Sequence, residues 1–306
     1  MSSGDVRFVL NGPVSPDGEI AAFVHSHGDA VRDIAFRVSD AEQAFHVAVT
    51  RGAIPIAEPT VREVRGRRVV SASVAAFGDV IHSFVQRDDE EWWLPGFERV
   101  ETPAGGTNIV SAVDHVAISV AHGHLAQQVD FYTNVLGFSP SHEEYVRTDQ
   151  SAMSSKVVEA AGGTIRLPIL EPADGRGQSQ VDEYLRFNRG PGVQHTALAS
   201  DNIIRTVDAL KTGGVDFMAT PLPYYETLLD RIGDLEEDVV ALRGLDILVD
   251  RDAWGYLLQI FSKPLQARPT FFVEIIQRKG ARGFGSGNIK ALFEAVEREQ
   301  RRRGNL

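Results

Sequence analysis

Hydrophobic and polar residues alternate along this chain with two periodicities, one of two residues and one near 3.6 residues. The run VDHVAISV at 113–120 alternates as a half-buried strand does. The next run, HLAQQVDFYTNVLGF at 124–138, places Leu125 and Val129 on one helical face, and Gly137 ends that helix. This succession predicts a strand followed by a helix.

An internal repeat extends the same pattern. A shift of 162 residues aligns AVRDIAF at 30–36 with GVQHTAL at 192–198 without a gap. The same shift matches turn-forming residues downstream, namely Gly52 with Gly214 and Pro59 with Pro221. Matching turn residues in one register favour a duplicated unit over a chance similarity.

Each copy of the repeat predicts a strand, a helix and a further strand. In the first copy Ser39 or Asp40 is expected to cap the helix, and in the second copy Asp201 or Asn202 has that role. The two helices therefore begin at equivalent positions of the repeat.

A linker separates two units of the chain. The stretch ETPAGGTNIVS at 101–111 has the Pro, Gly and Thr content of an interdomain segment. We place the boundary near Asn108, so residues 1–107 form an N-terminal unit and residues 108–306 a C-terminal unit. The C-terminal unit contains two strand–helix modules, and we expect the N-terminal unit to be a degenerate version of the same plan.

Composition narrows the functional classes. The formal net charge of −11 argues against nucleic-acid binding, which needs a basic face. The chain has no cysteine, so thiolate nucleophiles and disulfides are excluded. No apolar run reaches the roughly 18 residues of a membrane span, and the first residues do not form a signal peptide. We therefore expect a cytoplasmic protein without a membrane partner.

Three residues combine an ionisable side chain with an apolar strand. His115 and His195 lie in such strands, where an unpaired imidazole is costly to bury, and Glu274 lies in the run FFVEIIQR. Each alone is explained by a satisfied core residue. Together they predict a metal site with two histidines and one carboxylate, a set that suits non-haem Fe(II) oxygenases. Asp33 takes the position of His195 in the N-terminal copy, so that copy is expected to lack the metal.

The other histidines carry weaker signals. Five lie in polar contexts and are expected at the surface: His25, His27, His122, His124 and His142. His46 falls within a predicted helix, and His82 is interpreted as a core or barrel-lining residue without an evident partner.

With those residues assembled, the chain resembles the 4-hydroxyphenylpyruvate dioxygenase family, which includes 4-hydroxymandelate synthase, over essentially its whole length. The densest motifs are VDHVAI, SKVVEAAGG, LPILEPA, GPGVQHTAL, GYLLQIFSKP and RPTFFVEIIQRKGARGFGSGNIKALFEAVEREQ. The resemblance implies an α+β vicinal oxygen chelate fold in which paired βαβββ modules form two open barrels. It also implies Fe(II) bound by His115, His195 and Glu274 in the C-terminal barrel.

One departure from the family concerns the start of the chain. Family members have a strand and a helix ahead of the stretch that resembles DVRFVLNGPVSP, and this sequence does not. The N-terminal barrel is therefore expected to be incomplete, with an unpaired strand edge.

The resemblance also implies the reaction and its pocket. The substrate would be an aryl 2-oxo acid, 4-hydroxyphenylpyruvate, which chelates the iron and reacts with dioxygen, and the protein would be a homo-oligomer. Two glutamines and an aromatic residue are expected to act at the reacting ligand, through hydrogen bonds and ring stacking: Gln194, Gln259 and Phe261. The other matching pocket positions are Ser155, Pro168, Leu170, Gln180, Phe284 and Ile289. Simple packing remains an alternative role for Gln194 and Gln259.

Two pocket positions bear on the product. Leu170 stands where the homogentisate-forming pattern has Asn, and Ile289 stands where that pattern has Phe, whereas Pro168 keeps the homogentisate-type residue. Loss of an amide and of an aromatic wall would let the substrate ring tilt and present its benzylic carbon. We therefore expect 4-hydroxymandelate as the favoured product. Homogentisate, and a different 2-oxo acid substrate, are the alternatives.

The C-terminal segment predicts an amphipathic helix. In NIKALFEAVEREQ, Ile289, Leu292, Phe293 and Val296 fall on one face. We expect this helix to act as a lid that excludes water from the site, with ordinary packing as the alternative.

Two rival classes stay open. Extradiol catechol dioxygenases of the same fold also use two histidines and a glutamate, although the C-terminal motifs argue against them. The second rival is an inactive ligand-binding member of the vicinal oxygen chelate group.

Overall fold

The helices and strands are taken from a computed structural model, which describes residues 1–64, 66–88, 109–147, 151–175 and 177–288 together with positions 97 and 304. Within these ranges the strands are β1 (Ser2–Ser3), β2 (Val6–Arg7), β3 (Phe36–Arg37), β4 (Pro55–Val64), β5 (Arg67–Phe77), β6 (Val80–Arg87), β7 (Ala112–Ser119), β8 (Ser139–Arg147), β9 (Ala152–Glu159), β10 (Arg166–Ala173), β11 (Gly192–Ala199), β12 (Leu248–Arg251), β13 (Tyr256–Phe261) and β14 (Phe272–Lys279). The α-helices are α1 (Glu19–His27), α2 (Ala41–Thr50), α3 (Leu125–Asp130), α4 (Gln180–Asn188), α5 (Ile203–Thr212), α6 (Leu222–Glu226), α7 (Leu228–Ile232) and α8 (Val239–Gly244). A π-helical turn, Phe131–Val135, continues α3, and a 3₁₀ turn covers Ala161–Gly163.

An eight-stranded sheet of order β12-β13-β14-β11-β7-β10-β9-β8 forms the C-terminal unit. It consists of two βαβββ modules, one beginning at β7 and the other at β11. In each module the first strand is parallel to the last, as in the pairs β7 with β10 and β11 with β14. The modules meet where β7 and β11 pair in antiparallel fashion. This arrangement confirms the predicted α+β fold with paired modules.

A four-stranded sheet of order β3-β6-β5-β4 lies in the N-terminal unit. With α2 it makes one βαβββ module whose strand order matches that of the C-terminal modules. Phe45 and Ala48 of α2 belong to the same buried cluster as Ile118 of β7 and Tyr132 after α3. The two units therefore share a hydrophobic core, whose burial stabilises both.

The first residues of the chain pack on the C-terminal unit. The backbone N–H of Asp5 donates to the carbonyl of Ser111 at 2.6 Å. Val6 is buried in one cluster with Val110 and Ile203. The hairpin of β1 and β2 thus lies against residues on the far side of the predicted linker, whose positions 101–108, including Asn108, lie outside the described residues.

The repeat is visible in the structure over one strand and one helix. Asp40 caps α2 and Asn202 caps α5, and each side chain accepts a hydrogen bond from the backbone N–H three residues later. The match ends beyond Gly214. Pro59 lies within β4, whereas Pro221 leads into α6, so the predicted equivalence of these prolines is wrong. The reason is that the short helices α6 to α8 precede β12 and bury their own apolar residues against the sheet.

His27 is buried, so the prediction that it lies at the surface is wrong. Its Nδ1 lies 2.6 Å from the carbonyl oxygen of Asn188, and its Nε2 lies 2.8 Å from Oδ2 of Asp79. The polar sequence around it contacts the end of α4, which a local pattern does not indicate.

Within the part of the chain that the structure describes, we find no helix long and apolar enough to cross a membrane.

Candidate metal centre

Three neighbouring strands at the centre of the eight-stranded sheet bring His115, His195 and Glu274 together. Nε2 of His115 lies 3.3 Å from Oε2 of Glu274, and Nε2 of His195 lies 3.4 Å from the same oxygen. The strand register explains the convergence, because Ala197 pairs with His115 on one side and with Glu274 on the other. His195, two residues from Ala197 on the same strand, projects from the same face.

The three candidate ligands are buried and offer atoms that all lie within 4.8 Å of one another. Among the described residues this is the one cluster of histidine and acidic groups with such spacing. The sequence prediction that these residues meet at one point therefore agrees with the geometry.

Both histidines have their second ring nitrogen occupied. Nδ1 of His115 lies 2.8 Å from Oδ1 of Asp114, and Nδ1 of His195 lies 3.1 Å from Oε1 of Gln194. An acceptor at Nδ1 selects the tautomer that carries its hydrogen there and leaves the lone pair of Nε2 free. Both Nε2 atoms are therefore prepared to bind a metal ion beside Glu274.

The electrostatics of the protein groups also fit a cation. Burial alone would lower the pKa of His115, but the carboxylates of Glu274 and Asp114 raise it to about 9. Burial and the neighbouring His115 hold the pKa of His195 well below its usual value. The cluster thus attracts positive charge at the point where the ligand atoms meet. A divalent transition metal would take the place of the proton on Nε2 of His115, with two imidazoles and one carboxylate as donors.

Aromatic rings surround the histidines. Phe272 stacks on His195 with ring centroids 4.9 Å apart, and Phe261 lies edge-on to it at 6.3 Å. Phe284 meets His115 edge-on at 5.2 Å. These rings restrict rotation of the imidazoles and make the surroundings of the cluster apolar.

Gln259 has an unusual environment among the predicted pocket residues. It is fully buried, and neither atom of its side-chain amide has a hydrogen-bond partner. Its strand register places it on the same sheet face as Glu274, since Phe261, two residues away, pairs with Glu274. An unpaired buried amide is costly, and its donor and acceptor are both available for further hydrogen bonds.

Gln194 has a different environment. Its side chain is buried, and Oε1 contacts His195. The structure therefore places this amide beside a metal-ligand candidate, where it can support the ring.

The remaining pocket predictions divide into two groups. Ser155 and Leu170 are buried and pair across β9 and β10, and Leu170 packs with Ala117, Met153 and other apolar residues. Pro168 and Gln180 are also buried, the latter at the start of α4. Ile289 and the predicted lid helix lie outside the described residues.

Residues that the sequence analysis did not single out complete the surroundings. Asp114 directly precedes His115, and that adjacency was a usable signal. Arg278 contacts Asp114 across 164 residues of chain, and Phe272 stacks on His195 from a neighbouring strand. No local pattern indicates those two contacts.

Comparison with family models and relatives gives one consistent result. Residues 1–94 match the N-terminal model of hydroxyphenylpyruvate dioxygenase, and residues 112–260 match the glyoxalase, bleomycin resistance protein and dioxygenase superfamily. A 4-hydroxyphenylpyruvate dioxygenase of Yarrowia lipolytica is 39% identical over 100% of this chain and 82% of its own length. The enzyme of that name from Danio rerio is 38% identical over 98% of this chain and 80% of its own.

Solved structures agree. A mutant of 4-hydroxymandelate synthase from Streptomyces coelicolor superimposes with a TM-score of 0.84 at 39% identity, covering 94% of this chain and 82% of that one. A fusion of a xylose isomerase-like TIM barrel with a 4-hydroxyphenylpyruvate dioxygenase gives a TM-score of 0.71 at 25% identity, covering 90% of this chain and 43% of the fusion protein.

Proposed function

Because the chain belongs to the 4-hydroxyphenylpyruvate dioxygenase family and is a non-haem Fe(II) dioxygenase of the vicinal oxygen chelate fold, we propose that it oxidises 4-hydroxyphenylpyruvate to 4-hydroxymandelate. In this reaction the 2-oxo acid loses carbon dioxide. One oxygen atom of dioxygen enters the new carboxylate, and the other becomes the benzylic hydroxyl. Dioxygen is thus the co-substrate, and no second organic acid is consumed.

The metal ligands in this proposal are His115, His195 and Glu274. They would hold the ion through the two Nε2 atoms and Oε2, which lie within 3.4 Å of one another in the pairs that involve Glu274. A set of two histidines and one carboxylate would leave coordination positions for substrate and dioxygen. Bound Fe(II) supplies a Lewis acid for the 2-oxo acid and a redox centre for dioxygen.

The buried Gln259 amide carries the substrate assignment. It has both a donor and an acceptor without partners, on the sheet face that bears Glu274. We assign it to the polar groups of the substrate, which it would hold in one orientation. Phe261 and Phe284 supply apolar walls that contact the substrate ring and keep water away from the reacting atoms.

Two further assignments follow from position. Ser155 provides a buried hydroxyl beside Leu170, and Gln180 provides an amide at the start of α4. We assign both to the substrate pocket, together with the buried Pro168. The assignment of Ile289 to the same pocket rests on the family resemblance alone. Gln194 supports His195.

Leu170 supports the choice of product. Its side chain packs in an apolar cluster with Ala117, Val146, Met153 and Val181. A leucine there cannot form the hydrogen bond that the asparagine of the homogentisate-forming pattern offers. Identity to relatives does not separate the products, since relatives named for either activity are 39% identical. Pro168 favours the homogentisate alternative.

Proton NMR of the product tests this proposal. The Fe(II)-loaded protein would be prepared without oxygen and then given 4-hydroxyphenylpyruvate and dioxygen. We expect a para-disubstituted ring and a benzylic CH–OH signal. A trisubstituted ring would show homogentisate and overturn the product assignment while keeping the family.

Substitutions at the pocket sharpen the test. Ile289→Phe, with and without Leu170→Asn, should shift the product toward homogentisate, because the changes restore an aromatic wall and an amide. An unchanged product ratio in the double variant would refute the roles of Leu170 and Ile289.

A further inference from the structure

Two β-bulges lie directly before the two histidines of the metal centre. Between β7 and β11 the register shifts twice, and the extra residues that have no pairing partner are Asp114 on β7 and Gln194 on β11. In a regular strand, neighbouring side chains point to opposite faces. A bulge changes that direction, which allows each extra residue to contact the ring of the histidine that follows it.

Asp114 and Gln194, the two bulge residues, differ in the contacts that hold their side chains in place. Gln194 is a neutral amide. Asp114 is a carboxylate with a side chain only 7% exposed, and Arg278 binds it with two parallel hydrogen bonds. Nε of Arg278 donates to Oδ2 at 2.7 Å, and Nη2 donates to Oδ1 at 2.8 Å. This two-point contact restricts the carboxylate far more than a single bond does.

Arg278 also holds the turn that follows β14. Its Nη1 donates to the carbonyl of Gly283 at 2.6 Å and to that of Ala281 at 3.3 Å. The guanidinium carbon lies 5.4 Å from the ring centroid of Phe284, and that ring contacts His115. One arginine therefore connects the support of a metal-ligand histidine to the residue that lies against its ring.

We propose that Asp114 and Arg278 are positioning residues that orient His115 for metal binding and fix the turn at Ala281–Phe284 over the metal centre. The inference rests on the proposed function, because it presumes that His115 is a ligand. Asp114 keeps the hydrogen of the ring on Nδ1 and aims Nε2 at the metal position. Arg278 prevents Asp114 from turning away and sets the distance between Phe284 and His115.

Metal binding without substrate tests the proposal. The variants are Asp114→Ala, Asp114→Asn and Arg278→Lys. The matched control is Lys279→Met, next to Arg278 on β14, which removes the ion pair of Lys279 with Glu236. Co(II) would replace Fe(II), so that its visible absorption reports affinity and ligand geometry. Fe(II) affinity would be measured by competition with a chelator under anaerobic conditions, and circular dichroism would confirm folding.

We expect Asp114→Ala to weaken metal binding by about 10–100-fold and to alter the Co(II) spectrum. Asp114→Asn should lose less, because its side-chain oxygen still accepts a hydrogen bond from Nδ1. Arg278→Lys should lose less metal affinity than Asp114→Ala, because lysine makes only one contact with the carboxylate. It should also consume more dioxygen per hydroxylated product, measured with an oxygen electrode and 4-hydroxyphenylpyruvate, because Lys cannot hold both the carboxylate and the turn. Lys279→Met should match the wild type in metal affinity and in dioxygen consumed per hydroxylated product.

The outcomes separate the two claims. Wild-type affinity and spectrum in both Asp114 variants would overturn the positioning role while the proposed function stands. Unchanged coupling in Arg278→Lys would overturn the role of the turn. A wild-type protein that binds neither Co(II) nor Fe(II) would overturn the proposed function and this inference together.

Discussion

The second module of the C-terminal unit and the single module of the N-terminal unit share a scaffold, but among their described residues only the C-terminal module contributes to a candidate metal centre. In the C-terminal unit His195 lies near Glu274 across two parallel strands. The parallel pairing of β3 and β6 has an equivalent register, in which Asp33 corresponds to His195 and Ser83 to Glu274. Equivalent positions therefore carry a histidine and a carboxylate in one unit, and a carboxylate and a hydroxyl in the other.

The N-terminal pair satisfies its own hydrogen bonds. Oγ of Ser83 donates to Oδ2 of Asp33 at 2.6 Å, and the backbone N–H of Ser83 donates to Oδ1 at 3.1 Å. A carboxylate whose two oxygens already accept bonds needs no cation. His195 and Glu274 instead turn their ligand atoms toward a common point, which explains why, among the residues that the structure describes, the C-terminal unit alone resembles a metal centre.

Features that build the helix are kept in both copies. Asp40 and Asn202 have the same capping role, and Gly52 and Gly214 both adopt the left-handed backbone region after the helix, with φ of 105° and 92°. Both features satisfy backbone groups at the ends of these two helices, whereas the candidate metal ligands serve only the site. The two copies of the repeat therefore kept the residues that form the helix while their residues at the candidate metal site became different.

Buried histidines show the same contrast. His82 in the N-terminal unit is fully buried, and its Nε2 lies 2.9 Å from the hydroxyl of Tyr132, while its Nδ1 lies 3.0 Å from the carbonyl oxygen of Ile34. Both ring nitrogens are occupied by protein groups. His82 therefore links the two units and is a structural histidine, with the partner that the sequence analysis did not find.

The largest expected effect is the loss of metal binding in Glu274→Gln. The substitution removes the only carboxylate among the three ligand candidates, so the affinity for Fe(II) should fall by more than about 100-fold, beyond the loss from altering a supporting residue. Anaerobic titration with Fe(II) measures it.

The matched control for Glu274→Gln is Ser83→Ala, at the equivalent position of the N-terminal unit. We expect its metal affinity and activity to equal those of the wild type. Reduced metal affinity in Ser83→Ala would show that the N-terminal pair contributes to the site, and the contrast between the units would then fail.

A second prediction concerns pH and His82. Burial lowers its pKa from 6.5 to about 4, so the folded protein resists protonation that the unfolded chain accepts. The stabilising contribution is complete above pH 6.5 and is lost as the pH falls toward 4. Over that range the free energy of unfolding should decrease by roughly 3 kcal/mol from this residue.

Urea unfolding of the wild type and of His82→Gln between pH 7 and pH 4.5 measures this contribution. The variant retains a hydrogen-bonding side chain but does not titrate. Its free energy of unfolding should therefore fall less steeply as the pH decreases. Parallel curves for the two proteins would contradict the assignment of His82 as a buried neutral link.

The smallest predicted effect compares the two helix caps. Asp40→Ala and Asn202→Ala each remove one side-chain acceptor at a helix start and should lower the free energy of unfolding by about 1 kcal/mol. Thermal unfolding of both variants checks whether the equivalence is energetic as well as geometric. A cost confined to one cap would show that the two helices depend on different contacts.

Much of the fold could be read from local patterns. The helix α5, its cap and its end follow from periodicity and turn residues, and the α+β class follows from the family resemblance. The match of Pro59 with Pro221 failed because the short helices α6 to α8 are inserted before β12 in the second module. An alignment with a constant shift of 162 residues cannot account for such an insertion.

The sequence by itself determined the residue types of the metal centre and the strands that carry them. His115, His195 and Glu274 could be selected because ionisable side chains within apolar strands are costly unless they share a partner. The family resemblance could be drawn from the same chain, and the relatives support it.

Only the tertiary structure decided how those residues are supported. Asp114 and Gln194 contact the following histidines because two bulges change the direction of their side chains. Arg278 reaches Asp114 from a strand far along the chain. Strand register and bulges depend on pairing between distant segments, so the orientation of the candidate metal ligands is a property of the assembled sheet, while their chemical identity is a property of the sequence.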